Sequence, residues 1–142
     1  MKFEDIRKEA EEDLRIHDKF DLAGESLRLP NIFSKYLGMY RNEKITLKKI
    51  ENEYSIMYLE KYNMYHGTAS DEYYEEHPWS KKILKADLPM YLNADADLMS
   101  ITNRIYTQKE TIAYLERTIK YIEQRNFAIK NAIDYLKFTQ GT

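Results

Sequence analysis

The strongest constraint on the fold of this chain is a heptad pattern of apolar residues in its last third. Twelve positions between Leu98 and Leu136 recur at alternating steps of three and four residues, and ten of them are Ile or Leu. The seam consists of Leu98, Ile101, Ile105, Gln108, Ile112, Leu115, Ile119, Ile122, Asn126, Ile129, Ile133 and Leu136. A heptad register held over this length predicts a long helix that packs as helices in coiled coils do.

Such a helix is long compared with the chain that contains it. Residues 97–138 would extend about 60 Å at 1.5 Å per residue, more than a chain of 142 residues is expected to bury internally. We therefore predict a homo-oligomer built through residues 96–142, in which the seam residues pack between copies. The candidate oligomerisation residues are Ile105, Ile112, Leu115, Ile119, Ile122, Ile129 and Ile133. Alternatively, or in addition, the helix breaks near Asn126, because Asn tolerates the left-handed conformation of a helix end.

The rest of the chain is also predicted to be mainly α-helical. It contains only 4 Gly and 3 Pro, so it has few turn residues. Residues 1–66 form a helical N-terminal region, in which Pro30 begins a new helix, a break falls near residues 41–43, and a helix over 43–66 ends at Gly67. Residues 67–95 read as a loop or extended linker, with a short β segment around 81–92. Asn93, Asp95 or Asp97 caps the last helix.

Composition excludes several classes of protein. With no Cys, the chain has no disulfide, thiol nucleophile or thiolate metal site. No apolar run approaches the ~20 residues of a membrane helix, and no P-loop, GxSxG or HExxH motif occurs. We therefore predict neither an enzyme nor a membrane protein, and no cofactor or metal.

Charge is segregated along the chain although the net charge is only −2. Acidic residues exceed basic ones by three up to residue 30, whereas basic residues exceed acidic ones by two over 31–62 and by three after residue 100. The first basic region carries Lys44, Lys48, Lys49 and Lys61 among Tyr54, Tyr58, Tyr62 and Tyr65. Cations beside aromatic rings are typical of single-strand binding, in which phosphates are neutralised while bases stack. The alternative is that the tyrosines form a core face and the lysines its solvated side.

Several short segments give the chain a resemblance to the UvsY recombination mediators of T-even-type phages. The densest is Q-R-N-F-A-I-K-N at 124–131, where the family reads S-R-G-F-A-I-K-H. Others are E-D-I at 4–6, S-K-Y-L at 34–37 (family S-K-W-L) and Y-N-M-Y-H-G at 62–67 (family L-D-Y-Y-S-G). Their order and spacing extend the resemblance over nearly the whole chain.

The resemblance implies a non-enzymatic, ring-like homo-oligomer that binds single-stranded DNA in the cytoplasm of the infected bacterial host. Its implied partners are a RecA-like recombinase and a single-strand-binding protein, which the recombinase displaces. The family's DNA-contacting motif, L-K-A-R-L-D-Y-Y, places its Arg on Lys61 and its Lys on Leu59, where the charge is lost. Other lysines can compensate. The candidate DNA-binding residues are Lys44, Lys48, Lys49, Tyr58, Lys61, Tyr62, Tyr65, Lys81, Lys82 and Lys85.

Two other functions remain open. A structural helical assembly protein, such as a phage scaffold or tail component, would form oligomers without binding DNA. A metal hydrolase would use His66 and His77, which flank an acidic stretch, although their spacing matches no established metal motif.

Overall fold

The computed structural model describes residues 1–141 and confirms the mainly α fold. The helices are α1 (Phe3–Leu14), α2 (Leu22–Leu27), α3 (Leu29–His66), α4 (Asp71–Glu76), α5 (Leu88–Asn93) and α6 (Ala96–Thr139), with a 3₁₀ turn at Lys85–Asp87. The chain divides into two compact units. The first unit comprises Met1–Lys44 and the chain from Glu110 onward, and the second comprises Ile45–Lys109.

The first unit is built around the middle of α6. Ile6 and Ala10 of α1 are buried at helical spacing, together with Leu29, Ile32 and Tyr36 of α3 and Leu115, Ile119, Ile122 and Ile129 of α6. The Tyr36 hydroxyl donates to Asp13 Oδ2 over 2.8 Å, and the Lys35 ammonium lies 2.6 Å from the same oxygen. Burial alone would raise the pKa of Asp13, but these two contacts bring it below its ordinary value. Asp13 therefore links α1 to α3.

The second unit has an aromatic core. Met64 and Tyr65 of α3, Leu88 and Leu92 of α5 and Leu98 of α6 are buried together. Tyr65 meets Trp79 edge-on, with 4.8 Å between ring centroids. Gly67 has a φ of +83° and ends α3, as its position in the sequence predicts.

Three features differ from the sequence-based predictions. No strand occurs within residues 1–141, and the predicted β segment at 81–92 contains the 3₁₀ turn and α5. Pro89 explains the difference, since it lies at the start of α5, where its fixed φ suits a first helical turn. Residues 67–95 thus contain α4, the 3₁₀ turn and α5.

Both predicted helix breaks are absent. Helix α3 continues through residues 41–43, and α6 continues through Asn126. No non-glycine residue among 1–141 adopts positive φ. Asn126 instead accepts a hydrogen bond of 2.9 Å from the Ser26 hydroxyl through its side-chain oxygen. A residue that can end a helix is thus used to join α6 to the end of α2.

Candidate nucleic-acid interface

One side of α3 in the second unit forms a stripe without any carboxylate. The spacing of four, three, four, three and four residues places Lys48, Asn52, Ser55, Leu59, Tyr62 and His66 on one side of the helix, which we name the α3 stripe. All are exposed except Tyr62, which is half-buried. The 18 residues from Lys48 to His66 span about 27 Å. The α3 stripe therefore offers a cation, amide and hydroxyl groups, and two rings along one line.

The rings along this helix are ordered in pairs. Tyr62 and His66 are nearly parallel, with centroids 5.7 Å apart and an interplanar angle of 20°. Tyr58, which is 41 % exposed, lies 5.9 Å from Tyr54. The exposed faces of such rings are platforms on which any base can stack.

The other predicted lysines are placed differently. Lys48 and Lys49 are exposed on α3. Lys44, in the first unit, has its ammonium 5.1 Å from the Tyr40 ring centroid. Lys81 donates to the Tyr91 hydroxyl over 2.8 Å. Lys82 and Lys85 are exposed.

Lys61 is the predicted cation whose surroundings differ most from a surface site. Its ammonium lies 2.7 Å from Asp97 Oδ2 and 3.3 Å from Asp95 Oδ2, and only 11 % of its side chain is exposed. Burial alone would lower the pKa of Lys61, but the two carboxylates raise it above its ordinary value. The cation is thus compensated within the chain.

Asp95 is the centre of this cluster. The buried Tyr65 hydroxyl donates to Asp95 Oδ2 over 2.6 Å, and the Leu98 backbone N–H donates to Oδ1 over 2.9 Å. Asp95 therefore caps α6, as one of the three residues predicted for that role. Burial and the hydrogen bond to Asp95 raise the pKa of Tyr65 to about 12.

This cluster predicts an acid-sensitive second unit. Burial by itself raises the pKa of Asp95, but the contacts with Tyr65, Leu98 and Lys61 outweigh it and hold the pKa below its ordinary value. The folded state therefore binds fewer protons, and the stabilisation is complete above about pH 4 and is lost as the pH falls through the lower folded-state pKa. Urea unfolding followed by Trp79 fluorescence between pH 7 and 3 should show this loss, and Asp95→Asn should flatten it. An unchanged pH profile in that variant would contradict the assignment.

The predicted oligomerisation residues lie mainly inside the first unit. Leu115, Ile119, Ile122 and Ile129 belong to its core, and Ile133 packs against it. Ile105 and Ile112 are half-buried. The heptad seam is thus largely covered by α1 and α3 of the same chain.

A set of large apolar side chains in the first unit remains exposed. They are Phe20, Leu27, Phe127, Tyr135 and Phe138, which we name the apolar face, and Phe20 and Phe138 are 89 % and 83 % exposed. The sequence analysis missed these residues because the heptad seam drew attention to the opposite side of α6. It also missed Asn52, Ser55 and His66, which the regular spacing and absence of carboxylates could have identified.

Nothing in the described part of the chain gathers three His, Cys, Asp or Glu side chains at a spacing suited to a metal ion. Within residues 1–141, no helix combines the length and apolar character needed to cross a membrane.

Comparison with known proteins gives both a family and a fold. The family described as "Recombination, repair and ssDNA binding protein UvsY" matches residues 9–142. Crystal structures of the bacteriophage T4 recombination mediator protein UvsY are similar to this chain. One superposes with a TM-score of 0.85 at 23 % identity, covering 97 % of this chain and 99 % of that one. A second crystal form gives 0.85 at 22 % identity, covering 99 % and 98 %. A search of curated proteins found no significant match.

Proposed function

Because this chain belongs to the UvsY family of recombination, repair and single-stranded-DNA-binding proteins, we propose that it is a phage recombination mediator that binds single-stranded DNA without sequence specificity. It helps a RecA-like recombinase to form its filament on DNA coated by single-strand-binding protein. It works in the cytoplasm of the infected bacterial host.

The α3 stripe is the observation that carries this proposal. A chain with 24 acidic residues has no carboxylate along these five turns of exposed helix, so a phosphate backbone meets no repulsion there. Lys48 supplies charge for phosphates, and the rings of Tyr58, Tyr62 and His66 supply stacking surfaces. Neither contact depends on base identity, as a mediator acting on any sequence requires.

Lys61 has a positioning role in this proposal. Its ammonium holds Asp95 and Asp97, and thereby the start of α6, against the end of α3. The family motif therefore continues in this chain as a fold-stabilising cation, while phosphate contact passes to Lys48, Lys49 and the lysines that follow α4.

The apolar face supports an oligomer. A second copy of the chain covers Phe20, Phe127 and Phe138, because each aromatic side chain that leaves water removes about 150–250 Å² from it. Closing such contacts in a ring repeats the α3 stripe around the assembly. One stripe with few cations binds weakly, but linked copies raise the effective concentration of every further contact.

The mechanism follows from competition for the strand. A ring that holds several stretches of DNA at once reduces the hold of the resident binding protein on each of them. The freed nucleotides are then available for the recombinase to nucleate its filament. No chemical step is involved, and the free energy comes from binding alone.

Altering the charge of the α3 stripe should change DNA affinity in both directions. Leu59→Lys, which restores the family's cation at an exposed position, should strengthen binding of a fluorescent oligothymidylate by about threefold to tenfold, and Lys48→Ala should weaken it similarly. Each change should shift the salt dependence by about 0.7 in slope per phosphate contact.

Met99→Lys is the matched control, since Met99 is a similarly exposed apolar residue of the second unit that lies on α6. It adds the same charge away from the α3 stripe and should leave affinity within about twofold. Equal effects of Leu59→Lys and Met99→Lys would contradict the placement of the interface. Intact oligomers that bind no DNA would favour the structural assembly protein.

A further inference from the structure

A small pocket lies where α3 ends in the second unit. Its volume is about 320 Å³, and it is lined by Tyr65, His66 and Gly67 on one side and by the segment 81–84 on the other. This is at the lower end of the range for small-molecule sites. Gly67, with its positive φ, turns the chain away from α3 at this point.

The lining of the pocket is cationic, aromatic and apolar. Lys81 and Lys82 contribute two ammonium groups, and none of the lining residues is a carboxylate. Lys81 is held in place, with its ammonium 5.2 Å from the Tyr91 ring centroid and bonded to the Tyr91 hydroxyl. Lys82 makes no ion pair or hydrogen bond with any residue in 1–141. Ile83 and Leu84 supply the apolar wall.

The pocket is continuous with the α3 stripe, because His66 belongs to both. Its ring is exposed and lies parallel to that of Tyr62, so the row of rings on α3 ends at the pocket mouth. A strand that follows the α3 stripe would therefore bring a nucleotide to this mouth.

We propose that the pocket holds one unstacked nucleotide of a bound DNA strand, an inference that rests on the single-strand binding proposed above. The base lies against His66 and the apolar wall, and its phosphate lies between the ammonium groups of Lys81 and Lys82. Shape and stacking select a single unpaired nucleotide, since a base within a duplex cannot enter. The pocket thus distinguishes single strands from duplex and fixes the register of the strand on each subunit.

The test compares Lys82→Ala with Lys82→Arg and Lys109→Ala in titrations of a fluorescent oligothymidylate. Lys109 is an exposed lysine of the same unit outside the pocket. Lys82→Ala should weaken binding about tenfold, since a charge-assisted hydrogen bond is lost. Lys82→Arg should retain most of the affinity, and Lys109→Ala should change it by less than about twofold. Circular dichroism checks that all three variants fold.

The outcomes separate the pocket from the proposed function. If the unaltered chain binds the oligonucleotide and Lys82→Ala matches Lys109→Ala, the pocket is overturned while strand binding stands. If the unaltered chain binds no oligonucleotide, both proposals are overturned. Thymidine monophosphate is the second probe. If it binds as tightly as the oligonucleotide and loses affinity in Lys82→Ala, the pocket is a site for free nucleotides, and its role in strand binding is overturned.

Discussion

Replacing Lys61 with methionine is expected to lower the free energy of unfolding of the second unit by about 3 kcal/mol. Methionine keeps an apolar side chain of similar length and removes only the ammonium. Asp95, whose side chain is 4 % exposed, then loses its cation and retains only the hydrogen bonds from Tyr65 and Leu98. Removing one member of a buried ion pair costs more than the pair contributes, because the other charge remains out of water.

Urea unfolding followed by the fluorescence of Trp79 measures this loss, since Trp79 is the single tryptophan and packs on Tyr65. The matched control is Lys49→Met, an exposed position on the same helix, which should change stability by less than about 0.5 kcal/mol. Adding Asp95→Asn to Lys61→Met should recover part of the loss, because no buried charge is then left unpaired. Equal unfolding midpoints for Lys61→Met and Lys49→Met would show that Lys61 is a surface cation after all.

A carboxylate on the heptad seam and one on the apolar face should have opposite consequences. Ile119→Asp places a charge in the core of the first unit, where Ile119 is buried, and should cost at least about 4 kcal/mol. Its helical circular dichroism should fall at room temperature. Phe127→Asp changes a side chain that is 70 % exposed and should leave the subunit folded while dissociating the oligomer.

Light scattering and circular dichroism together distinguish the two variants. We expect an assembled, helical unaltered chain, a folded subunit of monomer mass for Phe127→Asp, and loss of helix for Ile119→Asp. If Ile119→Asp instead gives a folded monomer, the seam joins subunits and the apolar face does not. If the unaltered chain is a monomer at micromolar concentration, the proposed assembly is wrong.

The heptad seam shows what a sequence pattern can and cannot establish. The alternation of three and four residues identified α6 and its buried side, because helical periodicity is a local property. It could not identify the partner, since Leu115 and Ile119 are equally satisfied by a helix of another copy or by α1 and α3 of the same chain. That choice depends on how the chain returns on itself, which periodicity does not encode.

Lys61 shows a different limit of the same kind. By helical spacing it shares a side of α3 with Met57, Met64 and Tyr65, so its partly buried side was readable from the sequence. Its partners were not, because Asp95 and Asp97 lie more than thirty residues further along the chain. The predicted β segment failed for a local reason, since Pro89 fits both the start of a helix and an extended segment.

The claim that the α3 stripe binds single-stranded DNA is tested most directly by the salt dependence of oligothymidylate binding to the unaltered chain. The account predicts that the logarithm of the binding constant falls linearly with the logarithm of salt concentration, with a slope of about −0.7 for each phosphate contacted. The slope should therefore be a multiple of this value that grows with the number of subunits engaged. Binding that salt leaves unchanged, or no binding at low salt, would contradict it.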